Sequence, residues 1–498
     1  MKLRALLLAS VIVAFTASIA SAQLTPKEEL GKNLFFDKIA SPDNQSCAAC
    51  HAPQVGFTGP IPGINKKGAV YPGAVRQRFG NRKPPTAAYA TPAPIFYYDA
   101  DEGLFIGGNF WDGRATGNNL GNPAADQALG PFLNPVEQNN PSKMAVLEQI
   151  AASQYAPLWE VVWGEPISYD TPNEIEENYD RIGLAIAAYE GSSEVNSFSS
   201  KWDYFMRGEA TLSDKEMWGM ELFNGKALCS ACHPGPLFTD FTYDNLGVPK
   251  NPDNPFYRMD EVYLDDGTPI NPLGDAWIDP GLGGFLETLP ESFFDDLNLD
   301  KDETVLENWG KHKVPTLRNV AKGPSEEFGK AYMHNGVFTS LKQVVDFYNT
   351  RDVAKWPEPE VPINVNTDEL GDLGLTKKEV NAIVAFMGTL SDGWVPEKTK
   401  DGEGVLKGAT PTRIDLEVIG PNPFNPATQF SYSLPEAGPV RVAVYSMSGR
   451  LVATLLQGWK PSGQHDLVWA PGQLASGQYV VRLESGTTTV NRKVTLLK

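Results

Sequence analysis

Two copies of one five-residue pattern constrain this chain more than any other feature: Cys47-Ala-Ala-Cys50-His51 and Cys229-Ser-Ala-Cys232-His233, which together use all four cysteines. In Cys-x-x-Cys-His the two thiols can bond to the vinyl groups of a haem, while the adjoining histidine turns under the ring as an axial ligand. Two other readings compete. A four-cysteine zinc ribbon keeps its pairs about 15 to 20 residues apart, whereas these pairs stand in different parts of the chain. A redox dithiol needs neither the histidine nor a second copy. The repeat therefore predicts two covalently held c-type haems, with His51 and His233 as proximal iron ligands.

The amino terminus explains how such a chain meets its haems outside the cytoplasm. Lys2 and Arg4 precede an apolar run from Ala5 to Phe15 and then the small residues Ala20-Ser21-Ala22. This reads as a secretory signal over residues 1–22, cleaved after Ala22. No later stretch approaches the roughly 20 apolar residues of a membrane helix, so no membrane span is expected. Four cysteines in an oxidising compartment would ordinarily suggest two disulfides, and only the two Cys-x-x-Cys-His runs argue otherwise. The formal net charge of -19 becomes -21 once Lys2 and Arg4 leave with the leader. Nucleic acid is thereby disfavoured as a partner, and a basic redox protein would be steered toward the surface.

A chain of 498 residues exceeds what one core serves. Residues 59–100 and 113–142 are rich in Gly, Pro and Asn and read as loops. Thr171-Pro172-Asn173-Glu174 reads as a cap, a proline at the first helical position and a capping-box glutamate, opening a helix to about Tyr189. Ser213 and Glu216 open another, which runs toward the second cysteine pair. After a loop-rich 234–310, helices are expected at about 340–348 and 377–390, the latter from the capping box of Thr376 and Glu379. Beyond a polar linker at 396–412 the texture changes to short alternating runs such as "TQFSYSL", "VRVAVYS" and "QYVVRLE", the pattern of a small β-sandwich. The expected fold is mainly α: a first haem domain over 23–210, a second over 211–395, both with long loops, then an all-β sandwich over 413–498.

Only five histidines exist, at 51, 233, 312, 334 and 465. Two serve as proximal ligands and His465 lies in the β module. Bis-histidine ligation of both haems would consume the other two, so at least one iron is expected to carry a different sixth ligand or none, as peroxide or oxygen chemistry requires. At this point a resemblance becomes specific. The stretches "FWDGR" (110–114), "DQALGPFLNPVEQ" (126–138), "FTDFTYDNLGVP" (238–249), "VPTLRNV" (314–320), "YMHNG" (332–336) and "SLKQVVDFYN" (340–349) resemble, in order, the bacterial dihaem cytochrome c peroxidases and their MauG-like relatives.

The resemblance implies two cytochrome-c-like haem domains, one reacting with hydrogen peroxide and the other feeding it electrons from a small cytochrome c or similar donor. It makes the His51 haem the peroxide-reactive one, sets Gln127 and Glu137 over its open face, and places Trp111 between the haems as a relay. It also puts His334 close to the second haem. Arg114, alone a surface charge, could hold a propionate bidentately if it stands beside a haem. A glutamate over the iron suits peroxide cleavage, because a proton must move from the near oxygen to the far one. Read alone, Glu137 is a loop carboxylate and Trp111 a core aromatic.

Departures sharpen the expectation. The displaceable histidine that many relatives place after the first motif is Lys67 here, so the reactive iron is expected to be open without prior reduction. The second haem's usual methionine ligand is replaced by Tyr348. The MauG-like relatives place a tyrosine ligand there, although Leu341, Val344, Val345 and Tyr348 also form a core-facing stripe. Ala227 stands where MauG has a surface tryptophan. The family's calcium asparagine lies near an Arg-Asn-x-Pro-Thr run, which here reads Arg82-Lys83-Pro84-Pro85-Thr86 with Asn81 displaced, so calcium lacks support. The expected activity is peroxide reduction; the rivals are MauG-like oxidation of a protein or organic substrate and plain electron carriage. The closing segment, with "GPNPFNPATQFSYSLP", "ASGQYVVRL" and "RKVTLLK", resembles the type IX secretion sorting domain and implies delivery to the cell surface or medium.

Overall fold

The computed structural model describes residues 23–325, 327–395 and most of 413–497. The leader at 1–22 and the linker at 396–412 lie outside the described residues. Two compact units emerge from the internal contacts. One joins the chain up to Ser200 with Ser213–Trp394, and the other joins Lys201–Leu212 with the chain from Val395 onward.

Six helices frame the first unit: α1 (Pro26–Phe36), α2 (Pro123–Leu133), α3 (Pro172–Glu190), α4 (Asp214–Asn224), α5 (Leu341–Thr350) and α6 (Lys377–Gly388). Long loops carrying short helices and two-stranded ribbons join them. α1 and α4 begin alike. The Thr25 and Ser213 hydroxyls each accept an N–H three residues on, and Glu28 and Glu216 reach back to the cap N–H. Six residues after each cap stands a glycine at a helix crossing. A Cβ on Gly31 would lie 1.8 Å from the Ala185 carbonyl oxygen of α3, and one on Gly219 would lie 2.0 Å from the Ala382 carbonyl oxygen of α6. Each half of the unit is thus pinned by an entry helix and an exit helix in backbone contact, with its cysteine pair shortly after the entry helix.

Leu30, Leu34, Phe35, Ile182 and Ile186 fill the first crossing. Phe223, Phe238 and Phe386 interlock edge to face at the second. Each such side chain contributes roughly 1.5–3 kcal/mol by leaving water. α2 departs from the expected loop over 113–142. Asn122 caps it by accepting the Ala124 N–H, Pro123 takes the first turn where no donor is missed, and Pro131 falls near the last turn. Proline and glycine marked this segment as loop, whereas the cap and the proline's position favoured helix.

Among the described residues of the second unit run seven strands: β1 (Asp415–Val418), β2 (Thr428–Leu434), β3 (Gly438–Ser446), β4 (Leu451–Lys460), β5 (Gly463–Trp469), β6 (Gly477–Ser485) and β7 (Thr488–Leu496). They form a four-stranded antiparallel sheet in the order β7-β6-β3-β4 and a three-stranded one in the order β1-β2-β5. Phe430, Tyr432 and Leu434 share a buried core with Val442, Val444, Val481 and Leu483 of the other sheet.

Candidate active site

Each cysteine pair occupies one helical turn, Cys47–Cys50 and Cys229–Cys232. The following histidine closes the turn, with the His51 N–H bonded to the Cys47 carbonyl at 2.9 Å and the His233 N–H to the Cys229 carbonyl at 3.0 Å. Two phenylalanines then bend the backbone into the left-handed region, Phe57 at φ 56° and Phe238 at φ 53°. Their carbonyls face the imidazoles: His51 Nδ1 lies 3.2 Å from Phe57 O and His233 Nδ1 lies 2.8 Å from Phe238 O. The Nδ1–H donates there, leaving the Nε2 lone pair for an iron. Burial pushes both imidazoles down to about 4, so they are neutral at physiological pH. All four thiols are free, and burial first of all pushes them up to about 12. That removes the thiolate a redox dithiol would use.

Two interior cavities of nearly equal volume, about 220 and 200 Å³, open beside these turns. Cys47, Cys50 and His51 line the first, which also brings together Gln127, Glu137, Trp111 and Arg114. Glu137 Oε2 accepts the Asn134 amide at 2.8 Å. Burial raises the Glu137 pKa, while the Arg114 charge and the Asn134 bond oppose the rise. Arg114 is exposed, stacks 3.9 Å over the Phe110 ring and pairs with Asp112 at 2.6 Å. The Lys67 side chain is exposed and takes no part in the first cavity's wall.

Cys229, Cys232 and His233 line the second cavity together with Tyr348 and His334. Burial, followed by the Cys232 and Cys229 thiols, raises the Tyr348 pKa, so a phenolate there needs a cation such as ferric iron beside it. His334 and His312 stack at 3.6 Å between ring centroids with their planes 7° apart. Their Nε2 atoms find no hydrogen-bond partner, although Asp279 lies 3.3 Å from that of His312 and Glu360 lies 3.7 Å from that of His334. These histidines and Asp279 form one of two groupings with metal-ligand atoms among the described residues. In-plane lone pairs on parallel rings never converge, so the pair as stacked cannot share one ion. A calcium would also want oxygen ligands, and the Arg82–Thr86 stretch sets the half-buried Lys83 ammonium there instead.

Trp111 stands in the wall of both cavities. Its indole N–H donates to the Lys83 carbonyl at 2.9 Å, and its own carbonyl accepts the Lys313 N–H at 2.8 Å. Beside it Arg82 bridges Asp112 at 2.5 Å and Asp279 at 2.6 Å, a buried charge cluster.

The chain is 35% identical over 419 residues to the methylamine utilization protein MauG of Paracoccus denitrificans, covering 78% of this chain and 96% of that protein. This chain belongs to the dihaem cytochrome c peroxidase and MauG family. Residues 25–211 match that family as "Di-haem cytochrome c peroxidase", and residues 418–496 match "Secretion system C-terminal sorting domain". The cytochrome-c peroxidase IdrP2 of Denitromonas iodatirespirans is 28% identical over 366 residues, 73% of this chain and 81% of the relative. In three dimensions the diheme peroxidase BthA of Burkholderia thailandensis is similar, with a TM-score of 0.58, 29% identity, and 74% of this chain and 87% of that one covered.

The family is one of dihaem peroxidases, and the residues here fit two c-type haems. Each cavity offers two thiols on one turn and a neutral imidazole whose Nδ1 faces a backbone carbonyl. No helix among the described residues is long and apolar enough to cross a membrane.

Glu190, which sequence reasoning passed over, also lines the first cavity. It is 4% exposed, and burial raises its carboxyl to about 8, leaving it mostly protonated at neutral pH. A signal existed: Ile182, Ile186 and Glu190 fall at i, i+4 and i+8 on α3, which puts an acid on the buried stripe.

Proposed function

We propose that this protein reduces hydrogen peroxide to water at the first cavity with electrons entering at the second. Haems attached through Cys47/Cys50 and Cys229/Cys232, with His51 and His233 beneath them, would supply the redox-active iron. The observation that carries the reading is Glu137 beside Gln127 in the first cavity's wall; the second cavity's wall holds carboxyls too, Asp244, Asp279, Glu360 and Glu369, but sets Tyr348 among them. A carboxyl with raised pKa can take a proton from the near peroxide oxygen and return it to the far one; a plain electron carrier needs no such group. Trp111, present in both walls, offers the electron its path. Arg114 would hold a haem propionate as well as Asp112.

A MauG-like oxidation of a protein or organic substrate is the second reading. Tyr348 in the second cavity favours it, because a phenolate ligand stabilises ferric iron and lowers its potential. The donor in the first reading would be a small, preferably basic redox protein, in keeping with the net charge of -19. The leader and the C-terminal sorting domain would place the enzyme beyond the inner membrane, at the surface or in the medium.

The test is rapid mixing of the oxidised, matured protein with peroxide. The unaltered protein should react without prior reduction and turn over when a reduced cytochrome c is added. Glu137→Gln should slow peroxide cleavage by about 10²-fold or more at unchanged haem content. An unaltered protein inert to peroxide, or a Glu137→Gln variant at full rate, would sink the reading.

A further inference from the structure

Lys313 is a cation whose anion is missing. It belongs to the second half of the unit, in the run Lys313-Val314-Pro315-Thr316 that passes beside His233. Lys313 lines both cavities, but its ammonium lies against Asn109 and Phe241, which line only the first. It donates to the Gly108 carbonyl and to Asn109 Oδ1, the latter at 3.0 Å, and sits 5.4 Å from the centroid of the Phe241 ring. An ammonium has three donors, and these bonds use two. No carboxylate among the described residues pairs with it, and burial alone drives its pKa down. Arg114, by contrast, already has Asp112, and Arg82 has two aspartates. A charged group in an interior wall is costly to leave unpaired, and a haem brings carboxylates of its own.

We propose that Lys313 is a carboxylate anchor that binds a propionate of the haem in the first cavity, reaching it from the other half of the unit. This rests on the dihaem reading. Its consequence is a cross-tie: the polypeptide that positions His233 also fixes the acid edge of the partner haem, and the Lys313 N–H holds the carbonyl of Trp111 between them.

Lys313→Met, Lys313→Gln and Lys313→Arg in the full matured chain test this, read by redox titration of each haem's own absorption bands. Losing a positive charge at about 10 Å, with an effective dielectric constant near 20, should lower the ratio of reduced to oxidised first haem at a fixed potential by about tenfold. The second haem, farther from the ammonium, should change by no more than about fourfold, and Lys313→Arg should stay near the unaltered protein. A shift confined to the second haem, equal shifts in both, or no shift in either overturns the proposal. A second measurement needs no variant. In the haem-loaded protein a propionate partner must keep Lys313 charged well above about 7, the value to which burial alone lowers it. Side-chain NMR showing it deprotonate near that value also overturns the proposal. Neither measurement involves peroxide, so a chain without peroxidase activity would still answer.

Discussion

Asn134 donates a hydrogen bond to Glu137, and its replacement by aspartate offers a graded test of the acid group over the first cavity. Asn134 plays two parts in the turn that carries Glu137. Its amide N–H donates to Glu137 Oε2 at 2.8 Å, and its Oδ1 accepts the Val136 N–H at 3.1 Å. Asn134→Asp keeps the second bond, and with it the turn, but replaces the donor with a charged oxygen. A hydrogen bond to a charged group is worth about 1.5–3 kcal/mol, equivalent to about one to two pKa units, and like-charge repulsion adds to the same direction. The Glu137 pKa already lies above the ordinary value because burial outweighs Arg114 and Asn134; the variant raises it further. If the carboxylate must accept the peroxide proton, the rate falls as pH drops through this pKa. The acid limb of a stopped-flow rate profile should therefore move up by about one to two pH units, with the plateau above it retained. A limb that stays in place, moves down, or persists unchanged in Glu137→Gln would refute Glu137 as the group that titrates.

Arg82→Met should lower the unfolding free energy by about 3–5 kcal/mol in denaturant titrations, because it leaves the buried Asp279 with only the neutral His312 beside it and Asp112 with the exposed Arg114 alone. Arg82 holds the Asp112 and Asp279 pKa values below the usual range, so the stability they lend is full above about pH 4 and is lost as pH falls through their lowered values; the variant should lose this acid decline. Tyr348→Phe should change the spectrum of the second haem alone and leave the peroxide reaction of the first within about twofold. An unchanged spectrum would return Tyr348 to the packing stripe and remove the chief support for the oxidase reading.

Local chemistry was legible in the sequence, and relations across space were not. The cysteine–histidine turns, the capped helices α3, α4 and α6, and the alternating strands β2 to β7 each follow from a pattern within about ten residues. Two elements were hidden by composition: α2, behind its prolines, and β1, too short at four residues to show alternation. The twinning of the halves was visible in principle. Thr25, Glu28 and Gly31 repeat the spacing of Ser213, Glu216 and Gly219, and of these only the Ser213–Glu216 capping box stood out in the sequence. Nothing local could have joined Arg82 to Asp279 across 197 residues or brought Lys313 to Asn109 across 204, since such pairs depend on how the long loops fold back over the cavities.

The twinning also explains where the difference between the two sites must arise. Both halves supply the same turn, the same left-handed phenylalanine carbonyl, the same imidazole tautomer and a cavity of nearly the same size. The proximal side therefore cannot make one iron a peroxide site and the other an electron entry. The difference must come from the remaining walls: Glu137, Gln127 and Glu190 around the first cavity, and Tyr348 with the stacked histidines around the second. Trp111 is tied to both halves through the backbone of Lys83 and Lys313. Its indole proton faces a carbonyl oxygen, which is no base, so this contact offers the indole no acceptor for its proton.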